Sequence, residues 1–594
     1  MLDLQRHRGP DADGLFDDAH AVLGHRRLAI IDLSPDARQP MANEDGTVWT
    51  VFNGEIYNYP ELRAELVRAG HTFRTQSDTE VLVHGYEQWG VDGLVTRLRG
   101  MFGFALYDQK AAAGGRGDAY LFLVRDRLGI KPLYYRRTED GLAFASEVRA
   151  LRQAGDEVDR EALAGFLALG SIPFPRTWLR QVACLPPGHV AAYGPRGLAI
   201  RRYWDLAYEP AEMARNGELP HLFADTVRRH LMSDVPLGVF LSGGLDSAGV
   251  AAAASRFRDA ELFTLTVVFD EQEFTEAAEA RAFAAAFHTR HQEVRLTDRD
   301  FLDALPQILR VLDQPTNDGV NTYFVSRAAR ALGLTVVLSG LGGDEVFLGY
   351  PHYRRLGLPG GALRRYAEAP GWLRRWIERG AVRYGAWKGE ERFQRFAWLR
   401  EFPLSAGLYL LVRGFFPPEQ AAALLGVAPA EVTEPVAASF AALGQGAVPA
   451  GVLEGVHYFE TKRYLHDQLL RDADVFSMAH SLELRVPLLD HALVERCCRI
   501  PAAARLSAEV NKPQLLQAAG HPALEAAARR PKRGFTFPFA VWMRRHSEVL
   551  EQQALAGPAL EPGAVRACWR QFRQGRLHWS RAWATTVVGA LTAG

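Results

Sequence analysis

An apolar run ending in Val239-Phe240-Leu241 passes directly into Ser242-Gly243-Gly244-Leu245-Asp246-Ser247, and an alanine-rich stretch follows. That strand–loop–helix order leaves few folds open. The two glycines let backbone N–H groups approach an anion with no Cβ in the way, and Ser242 and Ser247 add hydroxyl donors. The helix start brings its positive dipole end to the same point. Asp246 would repel a bare phosphate, so its fitting role is to hold Mg²⁺. The G-K-[ST] lysine of the P-loop is absent, which excludes that class of nucleotide site. Taken alone, the segment also fits a plain strand–turn–helix with two turn glycines.

A second loop repeats the pattern: Val337-Leu338-Ser339-Gly340-Leu341-Gly342-Gly343-Asp344-Glu345. Apolar runs at 235–241, 262–269 and 334–338 alternate with helical stretches, the signature of a parallel sheet wound with helices. Ligands of such sheets bind at the carboxyl ends of strands, which puts both loops on one rim. Asp344 and Glu345 fit equally well as first-turn charges of a helix. Beyond 350 the chain reads as almost wholly helical, with residues 421–450 as helices and loops.

The first 200 residues differ. Short runs at 20–23, 28–31, 47–52, 102–107, 119–124, 133–135 and 142–145 read as strands, with helices at 60–69 and 79–88. Stacked antiparallel sheets with helices outside are expected. Leu185-Pro186-Pro187-Gly188 reads as a linker. Lys plus Arg and Asp plus Glu both number 69, so nothing in the charge asks for nucleic acid. The four cysteines lack C-x-x-C spacing, and no run is long enough for a membrane helix or a signal peptide. A reducing cytoplasm is the expected setting.

The first loop, with Met232-Ser233-Asp234-Val235-Pro236 ahead of it, resembles the pyrophosphate loop of N-type ATP pyrophosphatases in their asparagine synthetase branch. The resemblance implies binding of ATP by Leu241, Ser242, Gly243, Gly244, Asp246, Ser247, Val267, Ser339 and Gly340. Val267, on the strand between the two loops, would contact adenine. Asp246 and Asp344 would hold Mg²⁺ with ATP, and Lys512 would be the catalytic cation at the α-phosphate. Without the family pattern, a lone lysine is a surface residue far more often than not. Residues 470–490 resemble a helical family signature. There Asp472, Asp474, Glu483 and Arg485 form either a buried ion network or a substrate contact. Lys532-Arg533-Gly534-Phe535-Thr536-Phe537-Pro538-Phe539 is a further match, expected to be structural.

The amino-terminal part resembles a class II glutamine amidotransferase, and so implies an Ntn-hydrolase-like αββα sandwich. Its ordered matches are His7-Arg8-Gly9-Pro10-Asp11, His25-Arg26-Arg27-Leu28-Ala29-Ile30, Asn53-Gly54-Glu55-Ile56-Tyr57-Asn58, Ser77-Asp78-Thr79-Glu80 and Arg125-Asp126-Arg127-Leu128-Gly129. Glutamine binding falls on Arg27, Asn53, Gly54, Glu55 and Asp78. Arg27 would fork onto the α-carboxylate and Asp78 would take the α-ammonium. Asn53 and the Gly54 N–H would form the oxyanion hole. The family begins Met-Cys-Gly, with that cysteine as nucleophile, whereas no cysteine precedes Cys184 here. The chain therefore reads as truncated or as started at the wrong site. It is expected not to hydrolyse glutamine and to leave a sheet edge unpaired in its first domain.

The resemblance divides the chain into an amidotransferase domain at 1–205 and an ATP-pyrophosphatase domain, helical toward its end, at 206–594. It implies that a carboxylate, aspartate first, is adenylated by MgATP and then amidated. Nitrogen would come from glutamine in the intact family, through an internal channel, and from ammonia in this chain. Leu341 and Gly343 stand where narrow asparagine synthetases carry Glu and Ser, and that Glu is tied to aspartyl-AMP formation. Amidation of a sugar acid or peptide, a β-lactam-synthetase-like closure, and a catalytically dead homologue stay open. Pairing into a homodimer is implied by the family; no membrane partner is.

Overall fold

The computed structural model describes residues 1–114, 120–208, 218–257, 262–388, 390–444, 448–530 and 537–593. The first half holds β1 (Ala12–Asp17), β2 (Val22–Arg27), β3 (Met41–Ala42), β4 (Val48–Ile56), β5 (Gly100–Asp108), β6 (Leu121–Arg125), β7 (Tyr134–Thr138), β8 (Gly141–Ala145), β9 (Ala183–Cys184), β10 (His189–Gly194) and β11 (Gly197–Arg202). Its helices α1 (Tyr59–Arg68) and α2 (Glu80–Arg97) lie between β4 and β5. Six strands form one antiparallel sheet in the order β11-β10-β6-β5-β4-β3. Alternation along the strands sorts its two faces. Phe52, Ile56, Phe102, Phe104 and Leu106 pack under α1 and α2. Val51, Ala105, Tyr107 and Leu123 face a second β layer, in which Leu23 and Leu133 are buried. That layer is the β1-β2 hairpin and the sheet β8-β7-β9.

Two readings are corrected here. Residues 28–31 are not a strand, because their backbone bonds go elsewhere: the Ile30 carbonyl accepts from Asp234 N–H, and Ala29 N–H donates to Asp11. Leu185-Pro186-Pro187-Gly188 does not link the halves. Leu185 N–H donates to the Leu133 carbonyl and Gly188 N–H to that of Asp126, and β10-β11 follow to complete the sheet. The helix expected at 79–88 ends within two residues of that point, at Gly90, whose φ of 66° and ψ of 175° are non-helical, and a further helical stretch runs on to Arg97.

The second half carries β12 (Leu237–Phe240), β13 (Phe263–Phe269), β14 (Arg290–Leu296), β15 (Val336–Leu338) and β16 (Glu483–Arg485), all parallel, in the order β14-β13-β12-β15-β16. The winding reverses between β12 and β15, so the two glycine loops leave neighbouring strands at the switch point. Val267, expected between the loops, sits on β13, on the far side of β12. β14 escapes the sequence reading because an edge strand, Arg290-His291-Gln292-Glu293-Val294-Arg295-Leu296, carries polar residues. The 470–490 segment is only partly helical. The helix Arg471–Met478 ends in a turn, and Glu483 and Arg485 lie on β16.

Before that helix, Glu460–Leu470 is an eleven-residue π-helix with Glu460, Lys462, Arg463, His466 and Asp467 buried. Its polar sequence suggests exposure, yet it runs through the protein interior. Lys462 Nζ lies 2.7 Å from Asp205, and Gln468 donates to Asn317 at 2.6 Å. Of the Lys532–Phe539 match, residues 532–536 lie outside the described residues, while Phe537 and Phe539 pack around Trp542.

Candidate active sites

The first centre forms where the loops after β12 and β15 meet. Gly340 lies so close to the first loop that a Cβ on it would stand 2.5 Å from the Ser247 backbone nitrogen. Ser247 Oγ accepts the Ser242 N–H at 3.0 Å, and the two hydroxyls lie 2.9 Å apart, so each fixes the other. Gly243 N–H donates to Glu276 Oε2 at 3.0 Å. A carboxylate thus sits where a phosphate oxygen would compete for the same donor. Glu276 carries no sequence signal, since it comes from a distant part of the chain. Val267 is buried one strand away from the loop that begins at Leu241.

Asp246, Asp344 and Lys512 converge. Lys512 Nζ donates to Asp246 at 2.6 and 2.5 Å and pairs with Asp344 Oδ1 at 2.5 Å. The lysine is only 2% exposed. Its backbone is left-handed, with φ 51° and ψ 59°, directly before Pro513, which disfavours the right-handed helical conformation in the preceding residue. Such a conformation costs on the order of 1–3 kcal/mol and persists where the surroundings fix it. Gly349 is one fixing element, because a Cβ there would fall 2.0 Å from Lys512 Cε and 2.2 Å from Asp344 Oδ1. Gly349→Ala is therefore expected to displace both side chains and cut turnover by about 10²-fold, an effect measured by steady-state kinetics. Wild-type rates in that variant would refute the close fit.

Next to this trio, burial, and then the neighbouring Asp344, push the Glu345 carboxyl up to about 7. Tyr350 OH donates to it at 2.7 Å. Leu341 is half-buried and donates its N–H to Ser339 Oγ at 3.2 Å.

The second centre is a cavity of about 760 Å³ in the first half. Arg27, Asn53, Gly54, Glu55 and Asp78 all line it. Arg27 is anchored by donating to the carbonyls of Ser34 (2.9 Å) and Asp32. Asn53 Nδ2 reaches Ser146 Oγ at 3.4 Å, and Asp78 accepts the Ile56 N–H at 2.9 Å. Burial pushes the Asp78 carboxyl up to about 6, so an incoming ammonium would pull it back toward the charged form. Sequence reasoning missed Gln39, whose Oε1 accepts the Phe52 N–H at 2.6 Å. Among the described residues, no cysteine lines the cavity. Cys184 is buried against Arg125, and burial pushes the Cys497, Cys498 and Cys568 thiols up to about 12, 11 and 12.

Asp472 and Asp474 belong to an ion network. Asp472 pairs with Arg471 at 2.8 Å and accepts from Thr316, while Asp474 accepts from Arg8 at 2.7 Å and lies 3.5 Å from Lys131. Arg485 joins the two centres. Its guanidinium, 0% exposed, pairs with Glu483 at 2.7 Å and with Glu55 at 3.0 Å, and donates to the carbonyls of His230 and Met232. Its own carbonyl accepts the Ser339 N–H at 2.8 Å. Glu483 and Met478 also line the cavity of the first half.

Residues 218–592 match the family described as Asparagine synthase, and residues 1–204 the one described as Glutamine amidotransferase domain. Over 552 residues the chain is 33% identical to asparagine synthetase [glutamine-hydrolyzing] 1 of Bacillus subtilis (strain 168), covering 91% of this chain and 83% of that protein. Asparagine synthetase [glutamine-hydrolyzing] 3 of the same organism is 31% identical over 527 residues, covering 84% and 77%. Among the described residues, no helix is long and apolar enough to cross a membrane.

Proposed function

Because the chain belongs to the asparagine synthetase family, we propose that it converts aspartate to asparagine at the expense of ATP, in the cytoplasm. The observation that carries this reading is the convergence of Asp246, Asp344 and Lys512 beside the Ser242–Ser247 hydroxyl pair at the sheet's switch point. The aspartate side-chain carboxylate attacks the α-phosphorus, pyrophosphate leaves, and ammonia then displaces AMP from the acyl-adenylate. The loop N–H groups and hydroxyls bind the departing pyrophosphate. Two carboxylates converge on one cationic point, held here by the Lys512 ammonium, and this oxygen donor set fits Mg²⁺. Asp246 and Asp344 would hold the ion, which would neutralise phosphate charge. Lys512 supplies a fixed positive charge where the α-phosphate gains negative charge. We assign residues 1–205 to glutamine handling and 206–594 to synthesis. Arg27 would bind the glutamine carboxylate and Asp78 its ammonium, with Asn53 and Gly54 at the amide; Glu55 would hold this cavity to the second half through Arg485.

The test is parallel measurement of pyrophosphate and asparagine with MgATP, L-aspartate and ammonium. Equal amounts of both are expected, and Asp246→Asn should reduce both by about 10²-fold or more. Folded, ATP-binding protein that makes neither product would end the aspartate reading. With glutamine in place of ammonium, this 594-residue polypeptide should release no glutamate, since no cysteine among the described residues lines the cavity. Glutamate release at rates comparable to asparagine formation would overturn that part.

A further inference from the structure

Beside α1 and α2, Glu44, His71, His84 and Glu87, none of which lines the cavity, bring one ligand atom each to within 4.8 Å of one another. They come from three segments. Glu44 lies in the turn between β3 and β4, His71 follows α1, and His84 and Glu87 are three residues apart on one face of α2. His84 Nδ1 stands 3.1 Å from Glu44 Oε2, His71 Nδ1 lies 3.4 Å from Glu44 Oε1, and both imidazoles are 3.9 Å from Glu87 Oε2.

His84 decides what this cluster needs. The ring is 1% exposed, and its Nδ1 is fully buried with no hydrogen bond, because the nearby carboxylate lies off the ring direction. Its other nitrogen, Nε2, faces Glu80 Oε1 at 3.4 Å. Nδ1 is aimed among the carboxylate oxygens of Glu44 and Glu87 with no hydrogen bond of its own. A cation at the common centre resolves it, and a buried polar atom without one is costly. The ligands are also braced from behind. Glu87 Oε1 accepts from Asn43 Nδ2 at 2.7 Å, Glu44 Oε1 accepts the Thr72 N–H at 3.0 Å, and Glu80 backs His84 as a carboxylate commonly backs a metal-bound imidazole.

We propose that these four residues form a structural zinc site. Ligand bonds of about 2.0–2.2 Å put neighbouring ligands of a tetrahedral ion about 3.4 Å apart, close to the shorter separations here. The 3.9 Å separations to Glu87 shorten by rotation of that exposed side chain. Two imidazoles and two carboxylates leave the occupied site without net charge. Four protein ligands close the coordination sphere, so the ion's role is to tie the segment after α1 to α2. That segment continues into Ser77, Asp78 and Thr79, which line the cavity, and Glu80 ties it to α2, since its carboxylate accepts the Arg74 and Thr75 N–H groups at 2.8 Å.

The experiment uses the full chain, stripped with a chelator and titrated with Zn²⁺ against a chromogenic competitor, and it does not depend on any enzymatic activity. One equivalent should bind more tightly than about 1 μM. His71→Ala and Glu87→Gln, at a half-buried and an exposed position, should each weaken binding at least about 10-fold. Zn²⁺ should raise the thermal midpoint of the wild type and not of the double variant. Equal uptake by wild type and double variant, or none by the wild type, overturns the site.

Discussion

Replacing Lys512 with methionine should lower both pyrophosphate and asparagine formation by about 10²–10³-fold while MgATP still binds. The ammonium is the only cation placed within 2.6 Å of both Asp246 and Asp344 among the described pairs, and it is held there by a left-handed backbone and by the missing side chain of Gly349. Methionine keeps much of the volume and removes the charge. Two carboxylates then face each other in a buried setting without the cation that bridges them. Lys512→Arg should not rescue the rate, because a planar fork cannot occupy a point contact shared by two carboxylates. Kinetics of the folded variant at saturating substrates supply the check. If the methionine variant keeps more than about a tenth of wild-type turnover, Lys512 does not act at the phosphate.

The second large effect concerns the junction. Arg485→Met should destabilise the protein by about 3–5 kcal/mol, the cost of leaving buried charges without their partner. Glu55 and Glu483 both lose their guanidinium, and the carbonyls of His230 and Met232 lose a donor. Burial already pushes the Glu55 carboxyl well above the ordinary range, with Arg485 the main group pulling it down. Without the arginine, Glu55 takes up a proton and its hold on β16 is gone. Urea denaturation followed by fluorescence measures the shift. The double variant Glu55→Gln/Arg485→Met should lose less than the sum of the two single changes, because the two side chains act as a unit. A loss below about 1 kcal/mol for Arg485→Met would mean that the halves are held by other contacts.

Much of this was readable from the chain. The Ser-Gly-Gly-Leu-Asp-Ser loop and the Leu338-Ser339-Gly340 loop announce themselves, because strand, glycine and acid fall next to one another in sequence. The five residues assigned to glutamine were found by resemblance and do share one cavity. What escaped is what only packing makes. Glu276 and Gly349 act through neighbours far along the chain. The polar edge strand β14 and the three-residue β16 are too polar or too short for periodicity to find. The turn at Leu185-Pro186-Pro187-Gly188 has the composition of a linker and is nonetheless fixed inside the first half by Arg125, which donates to the Leu185 carbonyl at 2.8 Å.

The π-helix Glu460–Leu470 sets the rotational phase of everything after it. Its wide turns take up more residues than α-helical ones, while each α-helical residue advances the chain by about 100°. Removing one residue would let the segment relax to the tighter winding and would turn the helix Arg471–Met478 by about that angle. Asp472 would then swing away from Thr316, and Asp474 from Arg8. The length of these eleven residues is thus fixed to the single residue, a constraint of count rather than of chemistry on a segment that supplies no group to either centre.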